Sequence, residues 1–222
     1  MMKNLSLADV RSPRRWIGMP LIFLLSLIVT IGCTTVVTPL KPGAVTSLEA
    51  PDHGYVLGRV HLQWNGKPQT VGQFPYNMKW SLTDEKSGTQ LVIDRVPVDG
   101  PFVLNLPAGS YRLTAVSFDN GLGMWQTPLP TSFSVRPQKC TYIGTWDLTM
   151  QTEFFSGLLT RRVRDQEEQA EQDMRTIMGD RTWPPMVAQL GAPEQSPMVL
   201  TLQTQGNPAH VTTMKNVDAV ST

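Results

Sequence analysis

From residue 55 the chain alternates apolar and polar side chains in short runs broken by turn residues. In "YVLGRVHLQW" Val56, Val60, Leu62 and Trp64 fall on one side and Arg59, His61 and Gln63 on the other, the period of two of a half-buried strand. "NGKP" at 65–68 supplies turn chemistry. "NMKWSLTD" places Met78, Trp80 and Leu82 on one face, Lys86-Ser87-Gly88 turns the chain, and "TQLVIDRVPV" follows. That spacing predicts consecutive antiparallel strands. Phe102, Leu104 and Leu106 alternate inward, Pro107-Ala108-Gly109 turns, and Tyr111, Leu113 and Ala115 resume the alternation, which predicts a hairpin. A phenol just after such a turn can bury its ring while its hydroxyl caps a backbone group, as in a tyrosine corner. Two further runs follow, one with Phe133 and Val135 and one with Tyr142, Gly144, Trp146 and Leu148 on a common face.

Past residue 160 the period lengthens. In "RRVRDQEEQAEQDMRTIMGD" Val163, Ala170, Met174, Ile177 and Met178 form a helical stripe, Asp165 and Glu168 are placed as a capping pair, Glu171 and Arg175 sit four apart, and Gly179 is a stop. The stripe is narrow, so the helix is expected to dock along an edge of the β module, a partner-binding helix being the alternative. From Arg181 the chain carries Pro184, Pro185, Pro193, Pro197 and Pro208; "MVLTLQT" at 198–204 is expected as an edge strand at most, with disorder beyond Gly206. Residues 34–52, rich in Thr, Ser, Pro and Gly without a period, predict a flexible tether.

The amino-terminal segment changes the picture. "MMKNLSLADVRSPRRW" is basic, "LIFLLSLIVTIG" is an uncharged run, and Gly32-Cys33 follows, the order of a secretory signal. Counting back to Trp16 gives the short limit of a membrane span, but Pro20 interrupts it and no basic stop-transfer cluster follows; an uncleaved inner-membrane helix is the alternative. A small residue followed by cysteine at the end of such a run resembles the lipobox of bacterial lipoproteins. The resemblance implies acylation of Cys33, removal of residues 1–32, and anchoring by lipid chains such as palmitate. Thr34, where an inner-membrane retention aspartate would stand, implies the periplasmic face of a Gram-negative outer membrane. Two cysteines, one of them committed to lipid, leave Cys140 without an intramolecular partner and expected as a small buried hydrophobe.

"DGPFVLNLPAGSYRLTA", with "GRVHLQWNGKP" upstream, resembles the carboxypeptidase regulatory-like, or prealbumin-like, domain over residues 53–150. That resemblance implies a small Greek-key sandwich that accompanies function without performing catalysis. The expected fold is therefore mainly β, an antiparallel Greek-key β-sandwich with one C-terminal helix and flexible tails. Its expected parts are a signal at 1–32, a tether at 33–52, the sandwich at 53–150, a connecting segment and helix at 151–180, and a Pro-rich, largely disordered tail at 181–222.

Charge and motifs narrow the chemistry. Of 19 bases and 18 acids, four bases and one acid precede Cys33, so the remainder is slightly acidic and carries no basic stripe for nucleic acid. His53, His61 and His210 show no ligand spacing, and neither a Gly-x-Ser-x-Gly elbow, a phosphate loop nor a paired-cysteine motif occurs. No enzyme, cofactor or metal is expected. Trp125, in the Gly- and Pro-rich "DNGLGMWQTPLP", is the candidate for an exposed aromatic platform. The expected function is a lipid-anchored envelope module, structural or binding a protein partner, with recognition of envelope carbohydrate or peptidoglycan through Trp125 as the alternative.

Overall fold

The alternating runs become strands of one mixed sheet. A computed structural model of the chain describes residues 34–43, 50–70, 77–119, 123–154, 156–179, 184–191 and 194–203. Among these are twelve strands: β1 (Thr34–Val37), β2 (His53–Trp64), β3 (Lys67–Pro68), β4 (Asn77–Asp84), β5 (Gln90–Val96), β6 (Asp99–Pro107), β7 (Gly109–Asp119), β8 (Met124–Val135), β9 (Cys140–Glu153), β10 (Ser156–Arg164), β11 (Met186–Ala188) and β12 (Glu194–Gln203). One helix, α1 (Glu167–Met178), follows β10. The strands lie in the order β1-β5-β4-β7-β8-β12-β10-β9-β2-β3, with β6 on β2 and β11 on β9.

Antiparallel pairs dominate, but the expectation of a wholly antiparallel arrangement is corrected. β1 on β5, β2 on β9 and β11 on β9 are parallel. Each of these pairings joins segments far apart in sequence, where no tight turn constrains direction.

The core forms where the sheet folds back on itself. Trp80 of β4 meets Phe102 of β6 edge-on with centroids 5.2 Å apart, and Trp146 of β9 at 5.0 Å. Around them Val56, Val60, Leu62, Met78, Leu82, Leu104, Leu106, Val116, Phe118, Leu148 and Leu159 are buried. The inward set read from β2, β4 and β6 is therefore the observed one. Two runs change face midway. A register shift lies between Leu113 and Ala115, so Val116 and Phe118 take the inward positions that simple alternation assigned to Ala115 and its successors. Gly144 has φ +96°, and the pairing slips where Leu57–Tyr142 gives way to Arg59–Thr145. Tyr142 consequently faces the helix while Trp146 faces the main core, correcting the expectation that they share a side. A Cβ on Gly144 would come within 2.5 Å of Val163 Cγ1, so both space and backbone require glycine there.

The tyrosine corner forms as read. Tyr111 is buried, and its hydroxyl donates to the Pro107 carbonyl at 2.9 Å. Burial pushes its pKa up from 10.0 to about 12. Folding thus favours the neutral phenol, a contribution fully present below pH 10 and lost as pH rises through the folded value. Tyr111→Phe is expected to cost about 1 kcal/mol at neutral pH. The difference between wild type and variant should shrink in alkaline urea titrations as the phenol ionises; a gap unchanged up to pH 12 would contradict this account.

Helix α1 covers the outer face of β2, β6 and β9, not a sheet edge. Ala170, Met174, Ile177 and Met178 pack on Tyr55, Leu57, Val103, Cys140 and Tyr142. Arg59 on β2 holds Asp173 bidentately, Nε donating to Oδ2 at 2.9 Å and Nη2 to Oδ1 at 2.5 Å. Gly179 ends the helix with φ +78°, and its N–H donates to the Arg175 carbonyl. The capping pair read at Asp165 and Glu168 is not used. Gln166 is the N-cap without a side-chain bond, and its N–H donates to the Tyr142 hydroxyl at 3.0 Å.

Three domain boundaries are corrected. Residues 34–43 are not a free tether: β1 pairs along Gln90–Ile93, Leu40 N–H donates to the Val103 carbonyl and Gly43 N–H to the Ile177 carbonyl. Residues 156–164, expected as a connecting segment, are strand β10 in a hairpin with β9. Residues 186–188 and 194–203 add β11 and β12, and β12 lies between β8 and β10 instead of at an edge. The signal at 1–32, Cys33 and the tail beyond residue 203 lie outside the described residues.

Candidate functional site

The outward face of β2, β9 and β10 beyond the reach of the helix carries a shallow polar groove of about 420 Å³. Its lining comes from three neighbouring strands: His61 and Gln63, Asp147, Leu148 and Thr149, and Thr160, Arg162 and Arg164. Strand register sets the rows. His61 stands beside Asp147, which stands beside Arg162; Gln63 stands beside Thr149, which stands beside Thr160. Arg164 grips Asp147 bidentately, Nε to Oδ2 at 2.5 Å and Nη2 to Oδ1 at 2.8 Å, and those bonds raise the arginine pKa. His61 Nδ1 lies 2.7 Å from Asp99 Oδ1 on β6. Arg162 is exposed and makes no ion pair among the described residues, so it is the groove's uncommitted cation.

Toward the β9–β10 turn the same face carries two exposed apolar side chains among the polar Gln151, Glu153 and Ser156. Leu158 of β10 is 45% exposed and lies in register with Val199 of β12, which is 65% exposed. At the hairpin tip Phe154 is 94% exposed. Its φ of +47° is a left-handed conformation that an aromatic residue adopts only at a cost of about 1–3 kcal/mol. The ring gains no burial there, so fold stability does not account for it.

Catalytic arrangements are less evident. The His61–Asp99 pair orients an imidazole, but among the described residues no hydroxyl or thiol hydrogen-bonds to it. Nor do three His, Cys, Asp or Glu side chains converge as a metal site among those residues. Cys140 is fully buried beneath α1, and desolvation pushes its pKa up to about 12, so it is an unreactive thiol.

Trp125 is not the exposed platform the sequence suggested. It lies in β8, 3% exposed, with its ring in the main core. The residue is in strand phase with Thr127 and Leu129, also buried, so the apolar interior claims it despite the neighbouring glycines. Of the three histidines, His61 lines the groove and His53 Nδ1 bonds Asn105 at 3.0 Å, while His210 lies outside the described residues.

The groove itself was hidden in "GLLTRRVR". Leu159, Arg161 and Val163 point inward and Leu158, Thr160 and Arg162 outward. A fully buried arginine and an exposed leucine invert the usual code, so the strand did not read as one. Arg161 is accommodated by a hydrogen bond to the Thr131 hydroxyl and by lying over the Trp146 ring, 5.0 Å from its centroid.

No family model matches the chain, and no curated protein does. Among solved structures, a leucine-rich repeat protein from Bacteroides thetaiotaomicron VPI-5482 is similar at 13% identity over 48% of this chain and 15% of its own, with a TM-score of 0.32. A likeness of that grade carries no argument about fold or function.

Proposed function

We propose that the chain is a non-enzymatic lipoprotein of the cell envelope, anchored through Cys33 at the periplasmic face of the outer membrane, and that its β module binds a protein partner. The observation that carries the binding role is the exposed pair of Leu158 and Val199 on the face of the Arg162 groove, with the exposed Phe154 at the adjoining hairpin tip. Exposed apolar side chains rimmed by polar ones suit contact with a partner. The anchor rests on the basic, apolar and Gly32-Cys33 order of the leader. Several acyl chains together would hold the module on a bilayer far more firmly than one.

The module is read as prealbumin-like. In favour of that reading are the corner made by Tyr111 with Pro107 and the fold-back that brings Trp80 onto Phe102 and Trp146. In such a role the sandwich is a scaffold, and recognition belongs to its outward face.

One experiment tests anchor and face together. Cells making the wild type or Cys33→Ser are fed a labelled fatty acid, with a photo-crosslinking residue at position 158 and, as control, at position 41. Label in the wild type alone, and a discrete adduct from 158 but not from 41, are expected. Equal absence of label in both chains would refute the anchor; no adduct, or adducts alike from both positions, would refute the face.

A further inference from the structure

We infer that the module has no stalk and that the end of the sheet at Thr34 lies against anionic lipid headgroups, which fixes its orientation on the bilayer. This rests on the acylation of Cys33 proposed above. Cys33 is bonded directly to Thr34, which is already in strand register with Gln90. Val37 packs on the main core, and the bonds from Leu40 and Gly43 secure the following turn. An extended residue reaches about 3.5 Å, so acyl chains on residue 33 leave Thr34 within a few ångströms of the headgroups.

Register shows which parts of the sheet share that end. Thr34 lies in one row with Gln90, Thr83, Arg112 and Ser132. Just beyond the row come the β4–β5 turn at 85–89, the β6–β7 turn at Ala108 and the β8–β9 turn at 136–139. The last two are tied to the start of β2, Ala108 N–H donating to the Asp52 carbonyl and Gln138 N–H to the His53 carbonyl. Lys86 and Arg136 are exposed there, with Lys139 half-buried beside them. Of the acids at this end, Glu85 is paired with Arg112 at 2.9 Å, and Asp84 is spent on its own turn, accepting from Lys86 N–H and the Ser87 hydroxyl, which lowers its pKa. Among the described residues Asp52 is the other acid at this end, so Lys86, Arg112, Arg136 and Lys139 face Asp52, Asp84 and Glu85, and Lys86 and Arg136 are the exposed cations left without an ion pair there. Each lysine or arginine near an anionic leaflet contributes about 1 kcal/mol within a screening length of about 8 Å.

The opposite end carries the β9–β10 tip. Ser156 shares a row with Thr201 and Gln126, six residues along β8 from Ser132. At about 3.4 Å per residue that is about 20 Å from the Thr34 row. The β9–β10 tip with Phe154 is thereby presented away from the membrane.

The test uses the full lipidated chain in vesicles of phosphatidylethanolamine and phosphatidylglycerol containing a headgroup quencher. A fluorophore is attached at Thr89→Cys, Pro137→Cys or Glu153→Cys, all exposed positions, while Cys140 is buried and escapes labelling. Quenching several-fold stronger at 89 and 137 than at 153 is expected. Equal quenching at all three, in protein whose acyl mass is verified, would overturn the fixed orientation and leave the anchor standing. Absence of the acyl mass would overturn the anchor and the orientation with it.

Discussion

Arg59→Met is expected to destabilise the protein by about 3–5 kcal/mol, because it strands a carboxylate between helix and sheet. Asp173 is 5% exposed, and both its oxygens are engaged by the Arg59 guanidinium. Its other donor among the described residues is the Gln169 amide at 3.1 Å, too little to replace a bidentate cation. The pair's hydrogen bonds hold the arginine pKa above its ordinary value. The pair itself adds little over a well-packed apolar substitute, since desolvation opposes the Coulomb attraction. Arg59→Met combined with Asp173→Leu should therefore recover most of the loss. Urea midpoints at constant slope would check both variants. If the single variant cost under about 1 kcal/mol, the apolar contacts of Ala170, Met174, Ile177 and Met178 alone would be holding the helix.

Trp80→Ala carries the other large effect, about 3–5 kcal/mol. The ring comes from β4, whose neighbours in the sheet are β5 and β7, yet it touches Phe102 of β6 and Trp146 of β9. Removing it opens a cavity where the sheet folds back, and the surrounding strands cannot close it without losing their own register. Trp80→Phe separates packing from polarity. Trp80 Nε1 is buried with no acceptor among the described residues, so phenylalanine loses ring volume but also removes an unsatisfied donor. Its cost should stay below about 1.5 kcal/mol. A phenylalanine variant as unstable as the alanine one would mean that the indole's shape, not its bulk, sets the contact. Thermal unfolding and near-ultraviolet circular dichroism read the two outcomes.

Local chemistry made some features legible before any tertiary contact was known. Tyr111 two residues after Gly109 needs only a turn and an adjacent strand to close its bond on Pro107, all within one hairpin. Gly179 needs only the preceding helix turn. Met78, Trp80 and Leu82 lie on one face because the pleat repeats every two residues wherever the strand is placed. Other features were hidden because each depends on a distant partner. "TTVV" is too short to signal a strand and becomes one on meeting Gln90–Ile93. Arg161 looks like a surface residue until Trp146 and Thr131 are set against it. Trp125 in a Gly- and Pro-rich stretch reads as exposed until β12 pairs alongside β8, with Leu202 opposite it.

A mainly β chain, the inward faces of β2, β4 and β6, a helix near residue 167 and the point where that helix stops all follow from local pattern. These are consequences of side-chain period and turn chemistry, which act over a few residues. Contacts between distant segments set the parallel pairings, the changes of face at Gly144 and after Leu113, the place of β12 between β8 and β10, and the placing of Leu158 and Val199 on the face of the groove. Those outcomes are set by which segments, tens of residues apart, bury each other best, and a one-residue shift of register moves every side chain of a strand to the other side.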